Sequence, residues 1–403
     1  MTTFDVLLED LSSDIRDTLR RVAGLAEESF RARADAYDRQ ATFPKENFQD
    51  LFHAHLLGAT IPRDAGGLGF GIQGGSTFPL WMMTKLMAKA DLSLARCWEG
   101  HANSLVLIDA LGTPEQKRRW FEGVLERGEI WVAWSGEPSA PKPGEKARFG
   151  TTVTAAPDGW YVTGSKVFAT SASGANRAIL LVSTEGPGGA RHNQGNPEAL
   201  LMLACDLSDP TITVDTSWWD PVGMRATGSH LVRFERTFVP RDCLIGRPGS
   251  YLLDQWQTAF VPHYAASFLG AAEAAYDYAV TYVRHQNKGS DPYIQHRIAS
   301  MAVHIDSGHL WLHHVAGLWD RGRRADAALA GTKVRHLVEH WAEDTVHHCI
   351  RACGARSLIR PSPIERILRD LTFYLRHDND DHILATIGRA VLGEQHDVSF
   401  YKP

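Results

Sequence analysis

The stretch GTTVTAAPDGWYVTGSKVFAT, Gly150 to Thr170, decides the fold of this chain. It alternates, is rich in Val, Thr and aromatic residues, and folds back at Asp158-Gly159, a pair suited to a tight hairpin because glycine accepts the positive φ such turns require. Downstream, ALLMLACDL from Ala199 and HLVRFERTFV from His230 read as further strands, so residues 129–248 form a β part. The stretch 184–198 reads as a loop within it. On the N-terminal side Leu8, Leu11, Ile15, Leu19 and Val22 recur at helical spacing, and helical patterns return at 44–57, 78–111 and 114–127. The last has a clear start: Thr113 suits the N-cap, Pro114 the first turn and Gln116 the capping-box position. Beyond Tyr251 the helical stripes resume at 257–286, 294–320, 326–353 and 381–395, which predicts a helix bundle. The expected architecture is α+β in three parts, 1–128, 129–248 and 249–403.

Composition narrows the function. With 403 residues and a net charge of −5, the chain has room for a large core and no basic run to track a phosphate backbone or an anionic bilayer, so neither nucleic acid nor membrane is an expected partner. The N-terminus places acids within its apolar pattern, unlike an export signal, and no run reaches about 18 apolar residues. Five cysteines without CxxC spacing suit a reducing cytoplasm, and Cys349 and Cys353, one helical turn apart, read as core.

Two motifs match on paper only. GFGIQG, Gly69 to Gly74, has the spacing of a dinucleotide loop but lacks the preceding buried strand. HLVEH, His336 to His340, has zinc spacing in a chain with 19 histidines, where chance produces such pairs, and no metal is expected. A better constellation lies in the β part. WVAWSGEP brings Trp134 and Ser135, and KVFATSASGAN ends a strand with Phe168, Thr170 and Ser171. Such a strand end offers hydroxyls and backbone groups to the polar edge of a flat heteroaromatic ligand, with indoles over its faces. Trp218 and Trp219 are adjacent; on a strand, only one of them can face a given pocket. Finally, TFYLRHDNDD, Thr372 to Asp381, interrupts a helical pattern with His377 and Asp378 side by side, as a solvated loop or a proton-handling pair would.

Taken in order, PRDAGGLGFG, WVAWSGEP, TGSKVFATSASGAN, VGMRATGSHLV, VRHQNKG and IRACGAR with ILRD resemble the acyl-CoA dehydrogenase superfamily over nearly the whole chain. The resemblance implies a helical N-terminal domain, a central β-barrel-like domain, a C-terminal four-helix bundle, a flavin between the last two, and a homotetramer. A dehydrogenase of this fold needs a carboxylate to take the proton α to a thioester while the flavin takes the hydride. The resemblance puts that glutamate at Asp378, or for a minority of members at Phe260, and neither is glutamate. Aspartate is one methylene shorter, and a misplacement of about 1 Å costs about two orders of magnitude in rate.

The segment RDLTFYLRHDNDDHILATIGRAVLG, Arg369 to Gly393, is instead similar to the two-component flavin monooxygenases of this fold, the dibenzothiophene monooxygenase and sugar N-oxygenase type. These take reduced flavin from a separate reductase and form a flavin C4a-hydroperoxide. The similarity implies catalytic roles for His101, Thr170, Trp219, His377 and Asp378. Thr170 would hydrogen-bond near the flavin N5, Phe168 and Trp219 would exclude water, and His101 or His377 would move a proton. Asp378 would orient His377. Trp134, Ser135 and Ser171 would also contact the cofactor, and Arg284 and Arg356 its phosphate. The chain departs from the pattern at Ala133, where an asparagine is expected, and at Gln286, where a lysine is. Asn287 and Ile350 occupy positions that hold the adenosine half in FAD-binding members, so reduced FMN is favoured, with FAD possible. The expected substrate is a medium-sized aromatic or amine-bearing small molecule. The main rival expectation is an acyl-CoA dehydrogenase or oxidase with Asp378 or His377 as base; a second is a non-catalytic flavoprotein of the same fold that binds a partner or nucleic acid, against which the acidic net charge argues.

Overall fold

The computed structural model of the chain describes residues 2–138, 150–184, 197–377 and 380–398, with Asp380 described by its backbone alone. The chain opens with seven helices: α1 (Thr3–Glu9), α2 (Ser13–Leu25), α3 (Arg31–Gln40), α4 (Lys45–His53), α5 (Thr77–Ala90), α6 (Leu92–Leu111) and α7 (Pro114–Arg127). One π-helical turn, Ala26–Phe30, joins α2 to α3. At α7 the predicted capping box forms: the Gln116 N–H donates to Thr113 Oγ1 at 3.3 Å, and Gln116 Oε1 accepts the Thr113 N–H at 2.9 Å. The single helix expected over 78–111 is two, because the Asp91 side chain accepts the Ser93 N–H at 2.9 Å and restarts the helix. GFGIQG lies in the loop before α5, closed by pairing of Gly71 with Ser76.

Among the described residues seven strands follow: β1 (Trp131–Trp134), β2 (Thr152–Ala156), β3 (Gly159–Ala169), β4 (Arg177–Thr184), β5 (Leu200–Asp206), β6 (Ile212–Asp215) and β7 (His230–Pro240). They form a curled sheet in the order β1-β4-β2-β3-β7-β6, with β5 on β4. The hairpin is present one residue earlier than read: β2 pairs antiparallel with β3 in the register Ala156 to Gly159, so Pro157 and Asp158 form the turn, and Gly159 is a strand residue where a Cβ would stand 2.2 Å from the Val239 carbonyl oxygen. The β3–β7 ladder slips between Lys166 and Ala169, where Phe168 takes φ +49°. A bulge re-aims the side chain that carries it, and Phe168 is 57% exposed. Most of the predicted 184–198 loop lies outside the described residues.

After the short α8 (Ser250–Leu253) come α9 (Trp256–His285), α10 (Pro292–Asp320) and α11 (Arg324–Cys353). The fourth part of the bundle is broken into α12 (Pro363–Tyr374), which the sequence reading did not separate, and α13 (Asp380–Val391). Between them Leu375–His377 is a single 3-10 turn, so TFYLRHDNDD is an interruption, as read. One core runs through the helices of both ends, including Trp98, Phe260, Leu269, Leu312 and Val334, and a second fills the sheet around Val162, Leu180 and Phe234. Helices α5 and α6 are buried on nearly every face because they lie between the outer helices and α9. Among the described residues no helix is long and apolar enough to cross a membrane.

A polar junction near the cavity ties the three parts together. Asp370 Oδ1 of α12 accepts the Met224 N–H at 2.6 Å, and Arg369 pairs with Asp38 of α3 at 2.7 Å. Gly223 passes so close to α12 that a Cβ there would stand 2.1 Å from the Arg369 carbonyl oxygen. The loop 222–229 is thereby pinned between sheet and bundle.

Candidate active site

A cavity of about 590 Å³ opens where β1, the end of β3 and the 222–229 loop face α6 and the α12 terminus. Its sheet-side wall is built by backbone constraints. The Trp134 indole N–H donates to the Thr170 carbonyl at 3.0 Å, and the Val167 N–H to the Gly136 carbonyl at 3.2 Å. A Cβ at Gly136 would lie 2.4 Å from the Val167 oxygen, so only glycine lets the strip after β1 lie against β3. Lys166, fully buried, clamps the same strip by pairing with Glu137 and donating to the Leu181 carbonyl at 2.7 Å. Burial pulls its ammonium pKa down to about 8. The Ser229 hydroxyl donates to Thr170 Oγ1 at 3.1 Å.

Aromatic rings close one side. Residues 216–218 form a 3-10 turn rather than the strand assumed above, so side-chain alternation does not apply. Trp218 and Trp219 stack with centroids 6.1 Å apart, and Phe168 meets both edge-on at 5.2 and 6.2 Å. Trp219 lines the cavity and rests edge-on against Phe373 at 5.5 Å.

The helical wall carries the charge. Glu99 of α6 is wholly buried. The Tyr374 hydroxyl donates to its Oε2 at 2.5 Å, the Ser267 hydroxyl bonds its Oε1, and Arg96 stands 3.5 Å from Oε2. Burial pushes the Glu99 carboxyl up to about 7, against the opposing pull of Arg96. The Arg96 guanidinium lies 5.6 and 5.7 Å from the ring centroids of Tyr264 and Tyr374. His377 is at the mouth, its ring 5.0 Å from that of Tyr264.

Of the residues singled out in the sequence, Trp134, Ser135, Phe168, Thr170, Trp219 and His377 share this cavity. Of the others, those within the described residues lie elsewhere. His101 is buried beside β1, where Nδ1 accepts the Trp131 N–H and Nε2 donates to the Leu57 carbonyl, both at 3.0 Å. Desolvation holds its pKa down to about 4, so it is a neutral strut between helices and sheet. Ser171 is buried outside the cavity lining, at φ +63°. Arg284, at the end of α9, and Arg356, after α11, are exposed and do not line the cavity. Asp378 lies outside the described residues. In HLVEH, the His340 ring bonds the His336 carbonyl at 2.9 Å and Glu339 pairs with Arg335, and among the described residues no three ligating side chains converge for a metal.

The sequence reading missed Arg96, Glu99, Tyr374 and Ser229. Arg96 and Glu99 gave one faint signal, opposite charges three residues apart in an apolar helix. His101, in the same helix, drew attention as the more familiar catalyst. It lies about 140° around the axis from Arg96 at 100° per residue and faces β1 instead.

Comparison with known proteins agrees with this architecture. The family description "Acyl-CoA dehydrogenase, N-terminal domain" matches residues 12–128, and "Acyl-CoA dehydrogenase, C-terminal domain" matches residues 262–376. The chain is 24% identical to dibenzothiophene monooxygenase of Mycolicibacterium goodii, covering 90% of each chain. It is 26% identical to mitochondrial short-chain specific acyl-CoA dehydrogenase of Bos taurus, over 91% of this chain and 86% of that one. Among solved structures, FMN-bound TdsC from Paenibacillus sp. A11-2 superposes with a TM-score of 0.85 at 21% identity, over 95% of this chain and 99% of that one. At that identity the likeness speaks for the fold.

Proposed function

We propose, for a chain that belongs to the acyl-CoA dehydrogenase family, a flavin-dependent monooxygenase that receives reduced flavin from a separate reductase. Its relatives are flavin monooxygenases and acyl-CoA dehydrogenases alike, which supports an oxidoreductase. One observation favours the oxygenase branch. Among the described residues the ionisable groups lining the cavity are Arg96, Tyr374, Arg376 and His377, none of them a carboxylate, while Glu99 is sealed behind Tyr374 with both oxygens engaged. Taking a proton from carbon requires direct approach by the base, and Glu99 has none.

The donor set suits a flavin ring. Ser135, Thr170 and Ser229 offer hydroxyls to a polar edge, and Trp134 and Phe168 offer aromatic surface beside it. When bound, the flavin supplies the redox chemistry and activates oxygen. The protein holds and shields it. Thr170, already accepting from Ser229, has its own O–H left to donate to a ring nitrogen. Phe168, Trp219 and Phe373 keep water from the reacting face. His377 gives or takes the proton at the mouth, with Asp378 beside it in the chain. Arg284 and Arg356, outside the cavity, are assigned to the cofactor phosphate, and reduced FMN is the favoured form, with FAD possible. The working unit is a cytoplasmic homotetramer, and the substrate is a medium-sized aromatic or amine-bearing molecule.

The test supplies reduced FMN enzymatically together with ¹⁸O₂ and a panel that includes indole, the ligand in a solved TdsC complex, and dibenzothiophene. Incorporation of ¹⁸O into a product supports the reading. Anaerobic bleaching of the oxidised-flavin protein by butyryl-CoA would instead identify a dehydrogenase, with Asp378 or His377 as base.

A further inference from the structure

We infer that Arg96 is the seat of an anionic group, so that the substrate taken by this cavity beside the flavin is an amphipathic anion: a flat aromatic body against Trp219 and Phe373, and a carboxylate, sulfinate or sulfonate on the guanidinium. This rests on the proposed reading of the cavity as a flavin site, with the substrate taken at its α6 and α12 side beside Arg96 and Phe373.

The argument starts from an incomplete pairing. Arg96 lines the cavity with its side chain 18% exposed. Its carboxylate neighbour, Glu99, stands 3.5 Å away, beyond the roughly 2.7–2.9 Å of a charge-assisted hydrogen bond. The oxygens of Glu99 are occupied by the hydroxyls of Ser267 and Tyr374. A guanidinium has five N–H donors in a planar fork built for two oxygens, and one long contact leaves most of that fork to a ligand. The rings of Tyr264 and Tyr374 lie beside it, 5.6 and 5.7 Å from the guanidinium carbon to their centroids.

The balance of charge points the same way. Burial raises the Glu99 carboxyl to about 7, so near neutrality a large share of molecules carry Arg96 without its counter-charge. Arg376 is less suited, because it lies 59% exposed and is shared by Glu339 and Glu343 at 3.8 and 3.9 Å. Leaving a cation in a partly buried wall is unfavourable unless an anion arrives.

The experiment is isothermal titration of indole-3-acetate, 3-methylindole and tryptamine, three probes with one ring and different charge, into the protein with and without FMN. Indole-3-acetate is expected to bind about tenfold more tightly than 3-methylindole, and tryptamine most weakly. Arg96→Gln brings the first two to within about twofold, whereas Arg96→Lys keeps a preference, since charge survives and only the fork is lost. Equal affinities, tighter tryptamine binding, no binding of any probe, or a preference that survives Arg96→Gln would each overturn the assignment. Loss of FMN affinity in Arg96→Gln with the anion preference intact would give the residue to the flavin. The titration without FMN reads the preference even if the flavin assignment fails.

Discussion

The hydroxyl of Tyr374 donates to Oε2 of Glu99 at 2.5 Å, joining residues 275 positions apart and binding α12 to α6 directly behind the cavity wall. This contact fixes the position of Tyr374, which lines the cavity, through a carboxyl that does not.

Glu99 therefore carries a stability signature. Its carboxyl rises from 4.5 to about 7 on folding, so between these values the folded state binds more protons than the unfolded state and stability falls as pH rises. Glu99→Gln removes this term. Its unfolding free energy relative to wild type is expected to grow by roughly 3 kcal/mol from pH 4.5 to 7, at about 1.4 kcal/mol per unit of pKa, and to stay level above. Urea denaturation of both proteins across this range checks the slope, and parallel curves would refute it.

His101 and His377 separate structure from chemistry. His101→Ala leaves the Trp131 N–H and the Leu57 carbonyl without their partner in a buried site, costing about 1–3 kcal/mol for each group and lowering the denaturation midpoint. His377→Ala, at the exposed mouth, is expected to leave the midpoint within about 0.5 kcal/mol and to lower kcat with oxygen uptake less coupled to product. An unchanged kcat and coupling would remove His377 from the mechanism.

Phe168 holds a strained backbone for the sake of its ring. At φ +49° glycine is the unstrained residue, so Phe168→Gly is expected to alter stability by no more than about 1 kcal/mol. The same change opens the wall beside Trp219, and peroxide released per reduced flavin consumed rises. Unchanged peroxide release would show that the ring does not exclude water.

Thr170→Val keeps the volume and deletes the hydroxyl that accepts from Ser229 and faces the cavity. Flavin binding is expected to persist while kcat falls by about 10–100-fold, the scale for one oriented donor. Single-turnover kinetics with pre-reduced flavin decides it.

Asp370→Ala should loosen the junction between sheet and bundle. The Met224 N–H loses its acceptor in a buried site, and Met224 lines the cavity. A loss of about 1–3 kcal/mol together with weaker flavin binding is expected, measured by thermal unfolding and flavin titration.

Much of the fold was legible because it depends on periodicity and caps, which are local. Thr113 with Gln116 caps α7 within four residues, and the hairpin between β2 and β3 lies within one residue of the Asp158-Gly159 pair read from the sequence. The misreadings lie where one polar side chain overrides a continuous pattern, as Asp91 does between α5 and α6. The strand assumed at Trp218 and Trp219 failed because Asp215 accepts the Ser217 N–H at 3.2 Å and turns the chain.

Sequence by itself determined the order α, β, α, the hairpin, and a β wall carrying Trp134, Phe168 and Thr170, since alternation and turn chemistry act between near neighbours. Tertiary structure alone decided which polar residue of α6 reaches the cavity. A helix buried on nearly every face carries no amphipathic stripe to mark a direction, so only packing against β1 on one side and α12 on the other turned His101 into a strut and left Arg96 facing the cavity.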